Sequence, residues 1–426
     1  MPLGCGSPEA AATRLESQHM SHTPLWFGQF PKSRRQSYAK LRGEHTTQVV
    51  IVGGGLTGVS CALACAAAGL DPILLEKDVI GGGMAAGDSG LLREGFAGSF
   101  EEAAKAHGLR TARNLWDGLR RGSLDFAAAL RRYKIRCDLE PQDVLTLAAP
   151  REDAGRLLRR EYDARRRAGV DSTWVMSAAV ARETAITSAG AIRTRGAVLD
   201  PYRACVGMAT AAQSRGARLH EKSEVKRIRT AKHHVDVQTA GATIRATVVI
   251  IATGSPLQDL RAIRRHLRPV HAYGVVTAPL PAPLRRSVGQ RAAVLEDAAG
   301  EGRIIRWLDS DRIFVHGGRQ DAVADRARER ALTQRTGQMM YELSLLYPAI
   351  SGLPAAHSWD GLDHDTADGL PFVGPHRNFP RHLFALGSSR HGVGLAWTAA
   401  RLVLRHIQGE PAKPDEAFGF GRRLSG

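Results

Sequence analysis

The chain has 426 residues, 43% hydrophobic, 24% charged and 6% aromatic, enough apolar material for a large core and incompatible with global disorder. Its 45 glycines follow no Gly-X-Y period, which excludes a collagen-like fibre. Lys and Arg outnumber Asp and Glu by 59 to 42, and the net charge of +17 allows an anionic partner. The arginines are scattered, however, as Arg34-Arg35, Arg131-Arg132, Arg159-Arg160, Arg165 to Arg167 and Arg264-Arg265, often among alanines at helical spacing. That is the pattern of solvated helix faces, and nucleic acid is not the expected partner.

Residues 1–22 show no periodicity and are expected to form a flexible extension. Pro24 to Glu44 is basic and carries Trp26, Phe27, Phe30 and Tyr38, an arm able to lay aromatic rings on a neighbouring surface. No continuous apolar segment marks the N-terminus, and no stretch is long enough for a membrane span, so a cytoplasmic protein is expected. Val49-Val50-Ile51-Val52 is an apolar run without polar alternation, as in a strand buried on both faces of a parallel sheet. Gly53 to Gly58 follows, then an Ala/Cys/Leu helix ending at Gly69, then a second buried strand ending at Glu76: a βαβ unit. Cys61 and Cys65 lie one helical turn apart without the spacing of zinc or redox sites. With Cys5, Cys137 and Cys205 they suggest free thiols in a reducing compartment.

A long helical pattern spans Ser99 to Tyr133, and an Arg/Glu-rich helix spans 151–168. Further on, Tyr202 to Ser214 reads as helix, Arg218 to His220 as a short strand, Glu224 to Thr239 as paired strands and Val248 to Gly254 as a third buried strand. Strand-like segments alternate over 268–320, a helix covers Val323 to Tyr347, and strand His382 to Leu386 precedes a helix from Gly392 to Ile407. The expected class is α/β. A discontinuous Rossmann-type dinucleotide domain (23–98, 199–265, 355–426) is interrupted by an α+β substrate domain (99–198, 266–354).

Gly53-Gly54-Gly55-Leu56-Thr57-Gly58 matches G-x-G-x-x-G in the required context, with Glu76 closing the next strand. Gly53 permits the tight turn, Gly55 lets backbone approach a pyrophosphate, and Gly58 lets the helix sit close to the sheet. The helix N-terminus offers free N–H groups and a favourable dipole to phosphates. Glu76 is suited to a ribose hydroxyl and disfavours a 2′-phosphate. A second glycine-rich segment, Gly81 to Gly90, follows at once. Near the C-terminus Gly387, Gly392 and Gly394 repeat the strand–glycine–helix arrangement, which suits FAD, whose reduced ring is anionic.

These segments resemble the D-amino-acid oxidase/glycine oxidase (DAO) superfamily of FAD-dependent oxidoreductases. In pattern they are nearest its gamma-glutamylputrescine oxidoreductase and sarcosine oxidase-like members. The resemblance runs from about Trp26 to Pro411 and rests on VVIVGGGLTGVSCALACAAAGLDPILLEK, GAVLDPYRACVGMATAAQSRGARLHEKSEVKRI, VVIIATG, DRIFVHGGR, WDGLDHDTADGLPFVGP and LFALGSSRHGVGLAWTAARLVLRHI. It implies a glutathione-reductase-like FAD lobe and a substrate lobe roofing the flavin. It also implies oxidation of an amine or amino-acid C–N bond by hydride transfer to flavin N5, followed by imine hydrolysis, with O2 or another electron acceptor. It places Gly53, Gly55, Leu56, Thr57, Gly58, Glu76 and Lys77 around the ADP half, Val225 on the adenine side and Gly254 on the pyrophosphate side. Gly387, Gly392 and Gly394 face the isoalloxazine, and Ser89 and Gly90 also count among the FAD-binding residues.

One loop departs from the family pattern. Where putrescine-type members carry a hydroxyl, a basic residue and an amide, this chain has Ala85, Gly87 and Asp88. Asp88 beside a flavin would repel the reduced anion unless it pairs with an ammonium substrate. The candidate reacting residues are His391, to orient or deprotonate the amine, Arg390, to clamp a carboxylate, and Tyr273, as pocket wall. Trp359 is expected in the core, and Asp363-His364-Asp365 in a turn rather than a metal site. Two other readings remain open here: a flavoenzyme acting on an aminomethyl group of tRNA, and a flavin-binding protein without amine turnover.

Overall fold

The computed structural model describes residues 20–95, 97–148, 152–257, 259–298, 302–387 and 391–422. Two eight-stranded sheets and one three-stranded sheet organise them. At the centre of the first, Gly43–Val52 lies parallel to Pro72–Leu75 on one side and Ala242–Ile251 on the other. Arg218–His220 continues the sheet beyond Pro72–Leu75. Phe379–Leu386 runs parallel to the end of Ala242–Ile251, on the side away from Gly43–Val52.

The absence of polar alternation in Val49–Val52 follows from two cores. Val49 and Ile51 enter a cluster with the helices Leu56–Ala67, Pro201–Gln213 and Gly394–Gln408. Val50 and Val52 face the opposite cluster, with Val235, Val237 and Ile244 of an antiparallel meander. All four are nearly or fully buried, each contributing roughly 1.5–3 kcal/mol of hydrophobic stabilisation. Gly58, Ser60, Ala62 and Ala64 keep the helix surface low, so it can sit between the sheet and two other helices.

In the second sheet the strand order is Ala355–Asp365, Arg268–Thr277, Arg312–Asp321, Ile304–Leu308, Val294–Asp297, Val144–Leu147, Gly190–Thr194 and Thr173–Met176. The helix Asp325–Leu346 packs on one face, over Tyr273, Val275 and Val315. The other face turns toward the first sheet's connections. There Trp359, Val276 and Phe314 meet Leu25, Trp26 and Tyr202, and Val144, Val294 and Ile304 meet Leu91 and Val198.

Several local expectations change in three dimensions. The helix read over Ser99 to Tyr133 is two helices, Phe100–His107 and Leu109–Arg132, because Gly108 at φ +83° breaks the run. Asp363-His364-Asp365 is not a turn: it ends the long strand Ala355–Asp365, which pairs along Arg268–Thr277. Ser21, inside the stretch read as an extension, already pairs with this strand, its N–H donating to Ala356 O at 3.0 Å. The aromatic arm packs as expected, with Phe27 and Phe30 both edge-on to Tyr202. Cys61, Cys65, Cys137 and Cys205 are buried free thiols, and burial pushes Cys65 and Cys137 up to about 12. Among the described residues no helix is long and apolar enough to cross a membrane.

Candidate functional site

The register aligns the carboxyl ends of five parallel strands. Leu75 pairs with Val52, Val52 with Ile251, Ile251 with Phe384, and Leu75 also with His220. Glu76, Gly53, Ala252 to Gly254 and Gly387 therefore leave the sheet along one edge. The strands that lead to Gly53 and Gly387 lie two strand spacings apart, ~10 Å. A crevice beyond the carboxyl ends of parallel strands is where open α/β sheets bind ligands.

The glycines of this edge have distinct reasons. A Cβ on Gly58 would lie 1.9 Å from Gly53 O, and one on Gly53 would lie 2.5 Å from Ala252 O. Gly55, the N-cap of Leu56–Ala67, has nothing within 4 Å of its Cβ position, and no side chain caps that helix. Its first turn therefore faces open space from half-buried Gly55, Leu56 and Thr57. Glu76 accepts from Gly54 N–H at 2.7 Å and from Asp78 N–H at 2.8 Å, which fixes its carboxylate beside the turn with lone pairs to spare. Ser223 N–H donates to Glu76 O at 2.8 Å, bringing the start of Val225–Thr230 to the same end. Lys77 is exposed beside Asp78, and Gly254 is exposed at φ +71°.

The loop after the second strand runs beneath the second sheet. Trp359 Nε1 donates to Gly87 O at 3.2 Å, and Trp26 Nε1 donates to Asp88 O at 2.8 Å. Arg306 donates to Ser89 O at 2.6 Å and to Leu199 O at 3.1 Å, and a Cβ on Gly90 would collide with Leu199 O. The loop then passes the start of the C-terminal helix, where Val393 N–H donates to Leu91 O at 3.2 Å. Gly392 and Gly394 allow that approach, since their Cβ positions fall on Leu91 O and on Leu92. Sheet, loop and helix N-terminus thus converge on Ser89, Gly90, Gly392 and Gly394.

Asp88 is 9% exposed at this convergence. Burial pushes its carboxyl up, opposed first by the nearby His316 imidazole, and burial pushes His316 down. Beside them Arg319 bridges Asp363 and Asp365, each at 2.6 Å, because residues two apart in a strand share a face. Sequence reasoning missed His316 and Arg319. The usable signal was Asp363-x-Asp365 at strand spacing.

A cleft of about 640 Å³ opens next to this cluster, between the segment Ala97 to His107 and the rim formed by Arg268, Asp365 and Thr366. Among the described residues the buried Thr366 hydroxyl has no hydrogen-bond partner, and its methyl lies where a Cβ on Gly387 would go. His391 lines the cleft. Its Nδ1 accepts from Ala97 N–H at 3.2 Å and its Nε2 donates to Gly369 O at 2.5 Å, so the ring joins the two walls as the neutral tautomer. Tyr273 lies elsewhere. It is 1% exposed behind the sheet, under Asp325–Leu346, with its hydroxyl accepting from Gln320 Nε2 at 2.5 Å. Arg390 lies outside the described residues.

The family profile described as "DAO: FAD dependent oxidoreductase" matches residues 48–405. Gamma-glutamylputrescine oxidoreductase of Escherichia coli K12 is 27% identical over 396 residues, covering 89% of both chains. Glycine oxidase of Geobacillus kaustophilus HTA426 is 28% identical over 394 residues, covering 89% of this chain and 98% of that protein. Among solved structures, glycine oxidase from Geobacillus kaustophilus superposes with a TM-score of 0.73 at 22% identity, over 89% of this chain and 100% of that one. L-proline dehydrogenase from P. horikoshii superposes with a TM-score of 0.70 at 19% identity, over 88% and 97%.

Proposed function

Because the chain belongs to the DAO family of FAD-dependent oxidoreductases, we propose that it oxidises the C–N bond of a small amine or amino acid. The observation that carries this reading is the shared edge. An uncapped, glycine-led helix start, Glu76 and the Gly387 turn open side by side under a second sheet whose face bears buried ionisable groups.

The residues fit FAD. Gly53, Gly55, Leu56, Thr57 and Gly58 would receive the pyrophosphate, Glu76 the ribose, Lys77 and Val225 the adenine side, and Gly254 the pyrophosphate side. Ser89, Gly90, Gly387, Gly392 and Gly394 would border the ring, beside the Thr366 hydroxyl, which has no partner among the described residues. Bound there, FAD would supply the two-electron acceptor for hydride lost from the carbon next to nitrogen, and hydrolysis of the imine in water would give a carbonyl compound. The chain's own part is to hold the amine over that acceptor and exclude bulk water. His391, with both ring nitrogens committed to backbone, is assigned to fixing the cleft walls. Tyr273 is assigned to bracing the sheet from behind.

We further assign the two sheets to two lobes, one for the nucleotide and one for the substrate. The last boundary falls after Asp365, since Ala355–Asp365 pairs within the second sheet. Electrons would pass on to O2 or another acceptor. A cytoplasmic setting agrees with the four buried thiols.

The experiment is anaerobic mixing of the yellow holoprotein with a panel of amines, N-methyl amino acids and amino acids, followed at the oxidised-flavin band. Bleaching that saturates with one substrate class is expected. A flavin that no C–N compound reduces would replace this reading with flavin binding alone.

A further inference from the structure

One wall of the cleft is the crossing between the two large sheets. Ala355–Asp365 belongs to the second sheet and Phe372–His376 to the first, and residues 366–370, which line the cleft, join them. The crossing turns on Gly369, at φ +72°, whose N–H donates to Thr366 O at 3.2 Å. Asp368 Oδ1 accepts from Leu370 N–H at 3.1 Å. Beyond these local bonds the wall is braced from two sides. His391 holds Gly369 O from within the cleft, and Arg422 holds the crossing from behind.

Arg422 Nε donates to Asp368 Oδ2 at 2.7 Å and Nη2 to Asp368 Oδ1 at 2.9 Å, a bidentate pair. Nη2 also donates to Leu370 O at 2.6 Å and Nη1 to Pro371 O at 2.8 Å, while the guanidinium lies 3.7 Å over the Phe372 ring. The Arg422 and Asp368 side chains are 6% and 4% exposed, so water competes little for these bonds. The tail that carries Arg422 is seated by other means. Arg405 grips Asp415 with two N–H groups, Phe418 is buried, and Phe420 stacks on Phe372 at 4.7 Å. Phe420 also stands edge-on to His266, which lines the cleft. Covering the first sheet therefore needs only the apolar anchors, whereas the bonds of Arg422 all converge on the crossing. The family profile ends at residue 405, and Arg422 lies beyond it.

We propose that Arg422 is a positioning residue for C–N oxidation, an inference that rests on the functional reading above. Acting through Asp368, Leu370 and Pro371, it fixes the 366–370 wall against the first sheet. That wall sets the pose in which a substrate in the cleft meets the flavin, and small displacements of such a pose are costly in rate.

The test compares the wild-type holoprotein with Arg422→Lys, which keeps a cation beside Asp368 but replaces the planar fork with a single ammonium. Hydrogen exchange of the amides in 366–371 is measured together with flavin content. The limiting rate of anaerobic flavin reduction, per bound flavin, is then taken at saturating concentration of the substrate that the amine and amino-acid panel selects. In Arg422→Lys exchange at the crossing is expected to rise about 10-fold. The limiting rate is expected to fall about 10-fold or more at unchanged flavin content. A limiting rate per bound flavin equal to that of the wild type overturns the inference and leaves Arg422 a purely structural role. Unchanged exchange at the crossing overturns it as well, and in both cases C–N oxidation stands. Should Arg422→Lys fold poorly, Arg422→Ala combined with Asp368→Asn is read by the same criteria, since it removes both charges and keeps an acceptor for Leu370 N–H. If no C–N compound reduces the wild-type flavin, the functional reading itself fails and takes this inference with it.

Discussion

Gly55 and Gly58 belong to one motif and meet opposite surroundings. Gly58 is pressed against Gly53 O, so an added methyl has no room, whereas Gly55 faces open space. Gly58→Ala is therefore expected to destabilise the fold by about 1–3 kcal/mol through overpacking. Gly55→Asp should leave the fold intact. Its backbone, φ −74° and ψ 178°, suits an N-cap, and an Asp there bonds the helix's own first N–H groups. Those are the groups the pyrophosphate needs, and the added charge repels it. Gly55→Asp should purify colourless with an unchanged or raised melting temperature. A folded and still yellow protein would contradict the phosphate-loop assignment. Both glycines were legible in the sequence because the constraint is local to one turn. Asp88 was legible as an oddity, but its surroundings were not. His316 and Asp363, the latter paired with Arg319, reach it from strands far along the chain, and nothing in local spacing announces that meeting.

Among the elements, the helix Pro201–Gln213 shows how a cap becomes a pH-sensitive joint. Asp200 caps it, accepting from Arg203 N–H at 2.9 Å. Burial pushes the Asp200 carboxyl up from 3.8 to about 6, despite the opposing backbone bond and charge of Arg203. The folded protein therefore binds a proton at this site that the unfolded chain has released between pH 4 and 6. Stability from this group is full below pH 4 and falls as pH rises through 6, by about 3 kcal/mol in all. Asp200→Asn keeps a capping side chain and removes the titration. Chemical denaturation from pH 4 to 7 should show the wild type losing ground to Asp200→Asn as pH rises. A constant difference between the two proteins would refute the raised carboxyl. The helix itself was read correctly to within a residue at each end, since periodicity and the Asp-Pro start mark it. The break at Gly108 escaped because the apolar spacing continues on both sides, and only the backbone turn at the glycine separates the helices. The long strand Ala355–Asp365 escaped for another reason. It carries polar residues on a face that alternation rules expect to be apolar, and they are satisfied by partners across the sheet.

At the scale of the whole molecule, the first sheet was legible because its strands are buried on both sides and announce themselves as apolar runs. The second was legible as alternating segments but not in its order, which joins Val144–Leu147 to Val294–Asp297 across a long stretch of chain. Some of the arginines lie on solvated helix faces and pair there, such as Arg159 with Asp163 and Arg160 with Glu101, and the excess of +17 is what such pairs leave over. The proposed function depends on the two sheets meeting: one would set out the nucleotide edge, and the other lowers a charged face onto the loop beside it. The central claim is that this meeting place removes two electrons from a C–N bond. Its most direct measurement is a single anaerobic turnover in which flavin bleached is counted against carbonyl product formed, using the substrate that the panel selects. The account predicts one carbonyl released for each flavin reduced. Bleaching without carbonyl product, or no bleaching by any C–N compound, would contradict it.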